Sequence, residues 1–317
     1  MRQSPGPIVF YSNHYHIDLP PGHPFPMHKY RTLKDRLSNE GLISSANLVD
    51  PGLAKEEEIL SVHTKDYWEK MRDGSLSKTE LRKLGFPWSE ALFRRSRAAV
   101  AGTINATRSA IHTGLSINLA GGTHHSFPDR GSGYCVFNDV AIATVLQSRN
   151  PLDSKARRVI IVDLDAHQGN GNNFILGREE RVYTLSAHVG SNFPREKHPG
   201  TLDIDLPRGV KGDQYLAAVT EKLYFAVEMF EPELAIYIAG VDVHENDRFG
   251  QMSLTTLDML ERDRFTGSLF LEREIPLAIV LGGGYNKTEG MTVDLHYQTI
   301  KTALDLHKTH SIPLSGS

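Results

Sequence analysis

Four stretches of this chain hold residues that could do chemistry, and each follows an apolar run. Val159-Ile-Ile-Val162 leads into Asp163-Leu-Asp-Ala-His167, and Leu115 to Leu119 leads into Ala120-Gly-Gly-Thr-His-His125. Leu234 to Ala239 leads into Gly240-Val-Asp242, and Ile275 to Leu281 leads into Gly282-Gly-Gly-Tyr285. In an extended chain, residues two apart point the same way, so Asp163, Asp165 and His167 are expected to share one face. Carboxylates at the end of a buried strand are costly unless something positive pairs with them. A divalent metal is such a partner, and Asp oxygen and His nitrogen both suit zinc. Taken alone, the D-x-D-x-H spacing fits equally well a strand end with solvated acids and a turn.

The convergence of the four stretches tips the balance. Asp165, His167 and Asp242 could supply two carboxylates and one imidazole, leaving a fourth zinc position open for water. His124 and His125 offer acid/base groups that work near neutral pH. Tyr285, on a glycine loop, could donate to a developing oxyanion. Together these parts describe metal-assisted hydrolysis of an unactivated carbonyl, an amide above all. Each part also has a plainer explanation. A His-His pair is usually polar loop, and Asp242 could cap a helix. Gly282-Gly-Gly-Tyr285 could bind phosphate, but no Lys-Ser/Thr helix follows. Cys135 could be a nucleophile, but a cysteine flanking a strand is more often buried and inert.

The elements that must hold these residues alternate between strand and helix. Short strands are expected at Ile8 to Tyr11 and at Arg181 to Ala187, besides the four above. Helical spacing runs over Lys29 to Glu40, Glu56 to Met71 with a turn near His63, Ser89 to His112, Phe137 to Leu146 and Asn173 to Gly177. It returns over Asp213 to Phe230, Thr255 to Leu271 and Met291 to His307. Such alternation predicts an α/β fold, a parallel sheet with helices on both faces. Ligand sites in open sheets of this kind lie beyond the carboxyl ends of the strands. The loaded stretches would then meet along one edge. No linker, composition break or repeat interrupts the chain, so residues 1–317 are expected to form one domain. The loop holding His14, His16, His23 and His28 is expected to be mostly surface.

Composition narrows the function classes. The chain has 317 residues, 39% hydrophobic and 23% charged, an ordinary globular balance. A net charge of -3 gives no general drive towards nucleic acid or an anionic membrane. Met1 to Pro7 hold no apolar signal core, and no run approaches the length of a membrane span, so neither export nor a membrane anchor is expected. One cysteine excludes an internal disulfide and suits a reducing cytoplasm.

These motifs, in this order, resemble the zinc-dependent histone deacetylase superfamily, most closely its class IV type and bacterial relatives. The resemblance rests on Gly121-Gly-Thr-His-His-Ser-Phe-Pro-Asp-Arg-Gly-Ser-Gly-Tyr-Cys-Val-Phe-Asn-Asp139 and Val162-Asp-Leu-Asp-Ala-His-Gln-Gly-Asn-Gly171. It rests too on Ala239-Gly-Val-Asp242 with Asp247-Arg-Phe-Gly250, and on Gly282-Gly-Gly-Tyr285. It covers about residues 8–306. It implies the three-layer arginase/deacetylase fold, with zinc on Asp165, His167 and Asp242. It implies His125 as general base and acid oriented by Asn170, His124 as its electrostatic neighbour paired to Asp163, and Tyr285 polarising the scissile carbonyl. A monovalent cation, typically potassium, is implied near Asp163, Asp165, His167, Ser186 and Ala187. Tyr134, Phe193, Gly133 and Phe249 are implied around the acyl-lysine channel. Tyr134 stands where Phe is more usual, and His244 and Asn246 where relatives often carry Leu and Gly, a departure expected near the mouth.

The leading expectation is a zinc deacylase acting on acyl-lysine or a small acylated amine. An acylpolyamine hydrolase would want a carboxylate at the mouth. Phe249 occupies that place, although Glu245 is near. An arginase-like enzyme with two manganese ions would need a D-A-H-x-D pattern, and Gly169 breaks it. A binding protein with a dead site is disfavoured by the intact set of residues.

Overall fold

The computed structural model describes residues 6–149, 158–288 and 290–311. Eight strands form one sheet in the order β2-β1-β3-β8-β7-β4-β5-β6. They are β1 (Ile8–Phe10), β2 (Leu48–Val49), β3 (Leu115–Asn118), β4 (Val159–Asp163), β5 (Val182–Val189), β6 (Leu202–Leu206), β7 (Leu234–Ile238) and β8 (Leu277–Val280). Every neighbouring pair is parallel. All residues of β3, β4, β7 and β8 are buried, as their continuous apolar runs require.

Alternate residues of these strands enter two different cores. Ile160, Val162, Ala235 and Tyr237 join the larger core, with Leu33, Leu37, Val219, Leu223, Met259, Phe270 and Ile300 from helices. Val159, Ile161, Leu234, Ile236 and Ile238 join the other, with Ala110, Val140, Val145 and Leu176. Helices therefore cover both faces, giving the three layers expected. Each large aliphatic side chain so buried contributes roughly 1.5–3 kcal/mol before entropy is set against it.

Parallel strands put all carboxyl ends on one edge. The order makes β3, β8, β7 and β4 adjacent, so the four loaded stretches emerge side by side at the middle of the sheet. The connections meet the usual stop signals. The helix Glu90–Thr113 begins where Ser89 accepts from the Leu92 N–H, and it ends at Gly114. The helix expected over Glu56 to Met71 is two, Glu56–Ile59 and Lys65–Asp73, because Thr64 caps the second at Tyr67 N. Four elements had no expectation: the short 3-10 helix Asn13–Tyr15, β2, the helix Lys78–Leu84, and β6, whose Asp203 and Asp205 obscure an edge strand. Among the described residues, no helix is long and apolar enough to cross a membrane.

Candidate active site

β4 ends at Asp163, and a tight non-helical turn carries Asp165 and His167. The extended alternation expected through His167 therefore stops four residues early, at Asp163, yet all three side chains are buried. Asp163 turns to His124, with His124 Nδ1 2.7 Å from its Oδ2. Asp165 and His167 turn to Asp242, which follows β7. His167 Nδ1 lies 3.0 Å from Asp165 Oδ1 and 2.9 Å from Asp242 Oδ2.

Backbone donors aim both carboxylates. Asp242 Oδ1 accepts from Ala166 N–H at 2.8 Å, and Asp165 Oδ2 accepts from Gly283 N–H at 2.7 Å. Gly283 makes this approach possible: a Cβ there would lie 2.5 Å from Asp242 Oδ2 and 2.6 Å from Asp165 Oδ2. Gly282 before it has φ +69°, which an L side chain resists.

One imidazole nitrogen and two carboxylate oxygens thus converge, all within 4.8 Å of one another. Among the described residues this is the one such group of His, Cys, Asp and Glu side chains. Burial, followed by the charge of Asp165, pushes Asp242 up to about 7. Burial opposes charge on His167 too, but hydrogen bonds to Asp165 and Asp242 hold it well above its ordinary value. A cluster that retains a proton this strongly wants a cation between its members. The donor set and its burial fit zinc.

His124 and His125 divide by partner. Burial opposes the His124 cation, but the charges of Asp163 and Asp165 outweigh it and raise its pKa to about 9. His125 is lowered well below the usual value, first by burial and then by the neighbouring His124 and His167. Asn170, at the start of the helix Asn170–Leu176, fixes its tautomer. The Asn170 Nδ2 donates to the Glu196 carbonyl at 3.0 Å, so its Oδ1 must face His125. His125 Nδ1–H donates to that oxygen at 2.9 Å, leaving the Nε2 lone pair free. Burial, then the charge of Asp165, raises the Tyr285 phenol well above 10, so it stays a donor.

A cleft of ≈420 Å³ joins these residues, with Gly133, Tyr134, Phe193 and Phe249 in its lining. Phe193 lies 4.9 Å from the His125 ring, and Phe249 and Tyr134 lie 5.2 and 5.8 Å from Tyr285. A Cβ on Gly133 would come within 2.9 Å of His125 Cδ2 and 3.0 Å of Phe193 Cε1. Only a glycine keeps this passage open. Ser186 stands beside Asp163 in the β4–β5 register, with Ala187 next, but Ser186 Oγ bonds His188 Nδ1 at 3.0 Å.

Some expectations move. His244 is buried and accepts from the Asn246 N–H through Nδ1, and neither residue lines the cleft. They brace the loop after Asp242 and stand apart from the mouth. Glu245 does not line it either. Cys135 is buried, its thiol pushed up far from ionisation, as an inert cysteine would be. His23 is no plain surface residue: its Nε2 lies 2.9 Å from the Gly85 carbonyl, and its ring stacks on Phe86.

Three supporting residues were not singled out from sequence. Asp139 accepts from the N–H groups of Gly122 and Thr123, anchoring the turn before His124. Asp247 accepts from the N–H groups of Phe249, Gly250 and Tyr285, tying the Asp242 loop to the tyrosine. Arg262, fully buried, donates to the carbonyls of Leu164 and Gly240, holding together the turns after β4 and β7. Asp139 and Asp247 lie inside the quoted motifs, a signal that was present. Arg262 lies in a helix whose spacing announces only packing.

Comparisons with known proteins point to one family. The histone deacetylase domain model matches residues 23–299. An uncharacterized protein of Picosynechococcus sp. is 38% identical over 95% of this chain and 99% of its own length. Histone deacetylase 2 of Arabidopsis thaliana is 30% identical over 90% of this chain and 76% of its own. The acetoin utilization protein AcuC of Staphylococcus aureus is 28% identical over 83% and 73%. A solved histone deacetylase homolog, complexed with SAHA, superimposes with a TM-score of 0.76 at 25% identity, covering 96% of this chain and 89% of that one. With the family model spanning most of the chain, and a relative of that family 30% identical over 90% of it, the chain belongs to the histone deacetylase family and is a deacetylase-type hydrolase.

Proposed function

We propose that the protein is a zinc-dependent amidohydrolase that removes an acyl group from acyl-lysine or a similar amide. The observation that carries this reading is the neutral, tautomer-fixed His125 beside the Asp165–His167–Asp242 cluster. Those three residues would hold the zinc, which when bound would polarise the amide carbonyl and acidify water. His125 Nε2 takes a proton from the attacking water and returns it to the leaving amine as the C–N bond breaks. Tyr285 donates to the carbonyl oxygen as negative charge develops there. His124, held by Asp163, keeps positive charge beside that oxyanion. Tyr134, Phe193 and Gly133 form a narrow slot with flat walls for an apolar acyl-amine stem, with Phe249 at its rim. A monovalent cation near Asp163 and the Ser186–Ala187 backbone belongs to the same proposal, as does a place near class IV and one domain over residues 1–317.

The test is turnover of a fluorogenic acyl-lysine by Tyr285→Phe and His125→Ala. Both variants should keep zinc, quantified by metal analysis, and lose most of the activity. Near-normal turnover in both would sink the mechanism. An N-acetylated polyamine run alongside separates the acylpolyamine reading, which the lack of a carboxylate at the cleft mouth disfavours.

A further inference from the structure

The mouth of the cleft carries charge of one sign. Four cationic side chains line the cleft, Arg82, Lys83, Arg95 and Arg248, and its carboxylates are Asp165 and Asp242. Both of those belong to the metal cluster at the floor. Arg95 is buried and engaged, donating to the Tyr15 carbonyl and the Tyr30 hydroxyl. Arg82, Lys83 and Arg248 are exposed, and none forms an ion pair with a described residue. Cations elsewhere on the surface commonly do. Arg36 meets Glu40, Arg130 meets Asp129 and Glu196, and Arg273 meets Glu228.

The backbone fixes these charges at the rim. The Lys83 carbonyl accepts from Gly133 N–H at 3.1 Å, and the Leu84 carbonyl accepts from Tyr134 N–H at 2.8 Å. The Arg82–Lys83 turn is therefore fastened to the channel wall. Across the mouth, Arg248 N–H donates to the Tyr285 carbonyl at 3.3 Å. Its neighbour Asp247 makes no ion pair with it: both Asp247 oxygens turn inward to the N–H groups of Phe249, Gly250 and Tyr285, while the Arg248 side chain is exposed. Unpaired cations around a concave site raise the local concentration of anions and repel cations.

We propose that the mouth selects acylated amines bearing a carboxylate near the scissile amide, in the first place an acyl-lysine flanked by Asp or Glu. It disfavours polycationic acyl amines for the same reason. This inference rests on the deacylase reading above and names the substrate class of that site.

The test uses zinc-loaded full-length protein and acetyl-lysine peptides with neutral, acidic or basic flanks. A further arm, free Nε-acetyl-lysine with its own α-carboxylate, separates a small carboxylate substrate from an acidic peptide. At low ionic strength, kcat/KM should favour the acidic over the basic peptide by roughly tenfold, as a few exposed charge pairs would give. That preference should shrink towards parity in high salt. The double variant Lys83→Glu/Arg248→Glu should reverse the ratio, which each enzyme preparation reports internally, so a general loss of activity cancels. Equal rates on acidic, neutral and basic peptides would overturn the inference and leave the deacylase reading standing. No turnover of any arm by zinc-loaded enzyme would overturn both.

Discussion

In the proposed mechanism, the acid/base chemistry hinges on His125 having an amide as its partner. Asn170 fixes the imidazole by a hydrogen bond but adds no charge, while burial and the neighbouring His124 and His167 keep the ring neutral. A carboxylate in the same place would favour the imidazolium. Asn170→Asp should therefore raise the His125 pKa, and the acid limb of kcat/KM against pH should move up by about 1–3 units, the usual effect of an opposite charge at contact distance. An unmoved acid limb would mean that another group governs it. Much of this site was legible at the residue scale. Asp165, His167, Asp242, His125 and Tyr285 carry their chemistry in their residue type, and glycine-rich turns after apolar runs mark their place. The pairing of Asn170 with His125 came from family resemblance, since a turn asparagine advertises nothing by itself. Asp139 and Asp247 act by accepting N–H groups of residues distant in sequence, which spacing does not disclose.

At the scale of elements, the site is a set of turns that must be held at fixed separation. Arg262 does this from the helix Thr256–Leu271, bonding the Leu164 and Gly240 carbonyls while pairing with the buried Asp263 at 2.8 Å. Arg262→Met removes those donors and leaves a buried carboxylate without its cation. Breaking a buried pair in this way costs about 3–5 kcal/mol, to be read from urea unfolding of wild type and variant. A loss below about 1 kcal/mol would show that the Tyr237 and Thr299 hydroxyls, which also bond Asp263, suffice alone. Gly133 is the complementary case, a position where nothing fits. Its φ of +53° and the nearness of His125 and Phe193 both oppose a side chain. Gly133→Ala should depress kcat/KM on a long acyl-lysine substrate by roughly tenfold or more, in line with ångström-scale misplacement at a reacting centre. Wild-type kinetics from this variant would place the substrate path elsewhere. Helix and strand boundaries were mostly legible, because Ser, Thr and Gly punctuate them. The helix Lys78–Leu84 was missed because it is short and its exposed face dominates its composition.

For the whole molecule, strand–helix alternation announced the parallel sheet, but no local pattern announces the order β3-β8-β7-β4 that makes the loaded turns neighbours. That order follows from how the chain crosses over, a non-local property. The same long-range packing buries histidines that must remain neutral, and this links global stability to pH. His63 shows the sign most clearly. Its Nδ1–H donates to the Pro128 carbonyl at 3.2 Å, and its Nε2 accepts from Asn138 N–H at 2.9 Å, so no lone pair is left to take a proton. Burial lowers its pKa from 6.5 to about 4. Between those values the unfolded chain binds a proton that the folded chain refuses. Stability is then complete above about pH 6.5 and falls by about 3 kcal/mol towards pH 4 from this group alone. Urea unfolding of the metal-free protein across that window should show the decline. His63→Gln, which can make both hydrogen bonds without titrating, should flatten it by a comparable amount. An equal slope in the two proteins would assign the pH dependence to other buried groups and detach His63 from it.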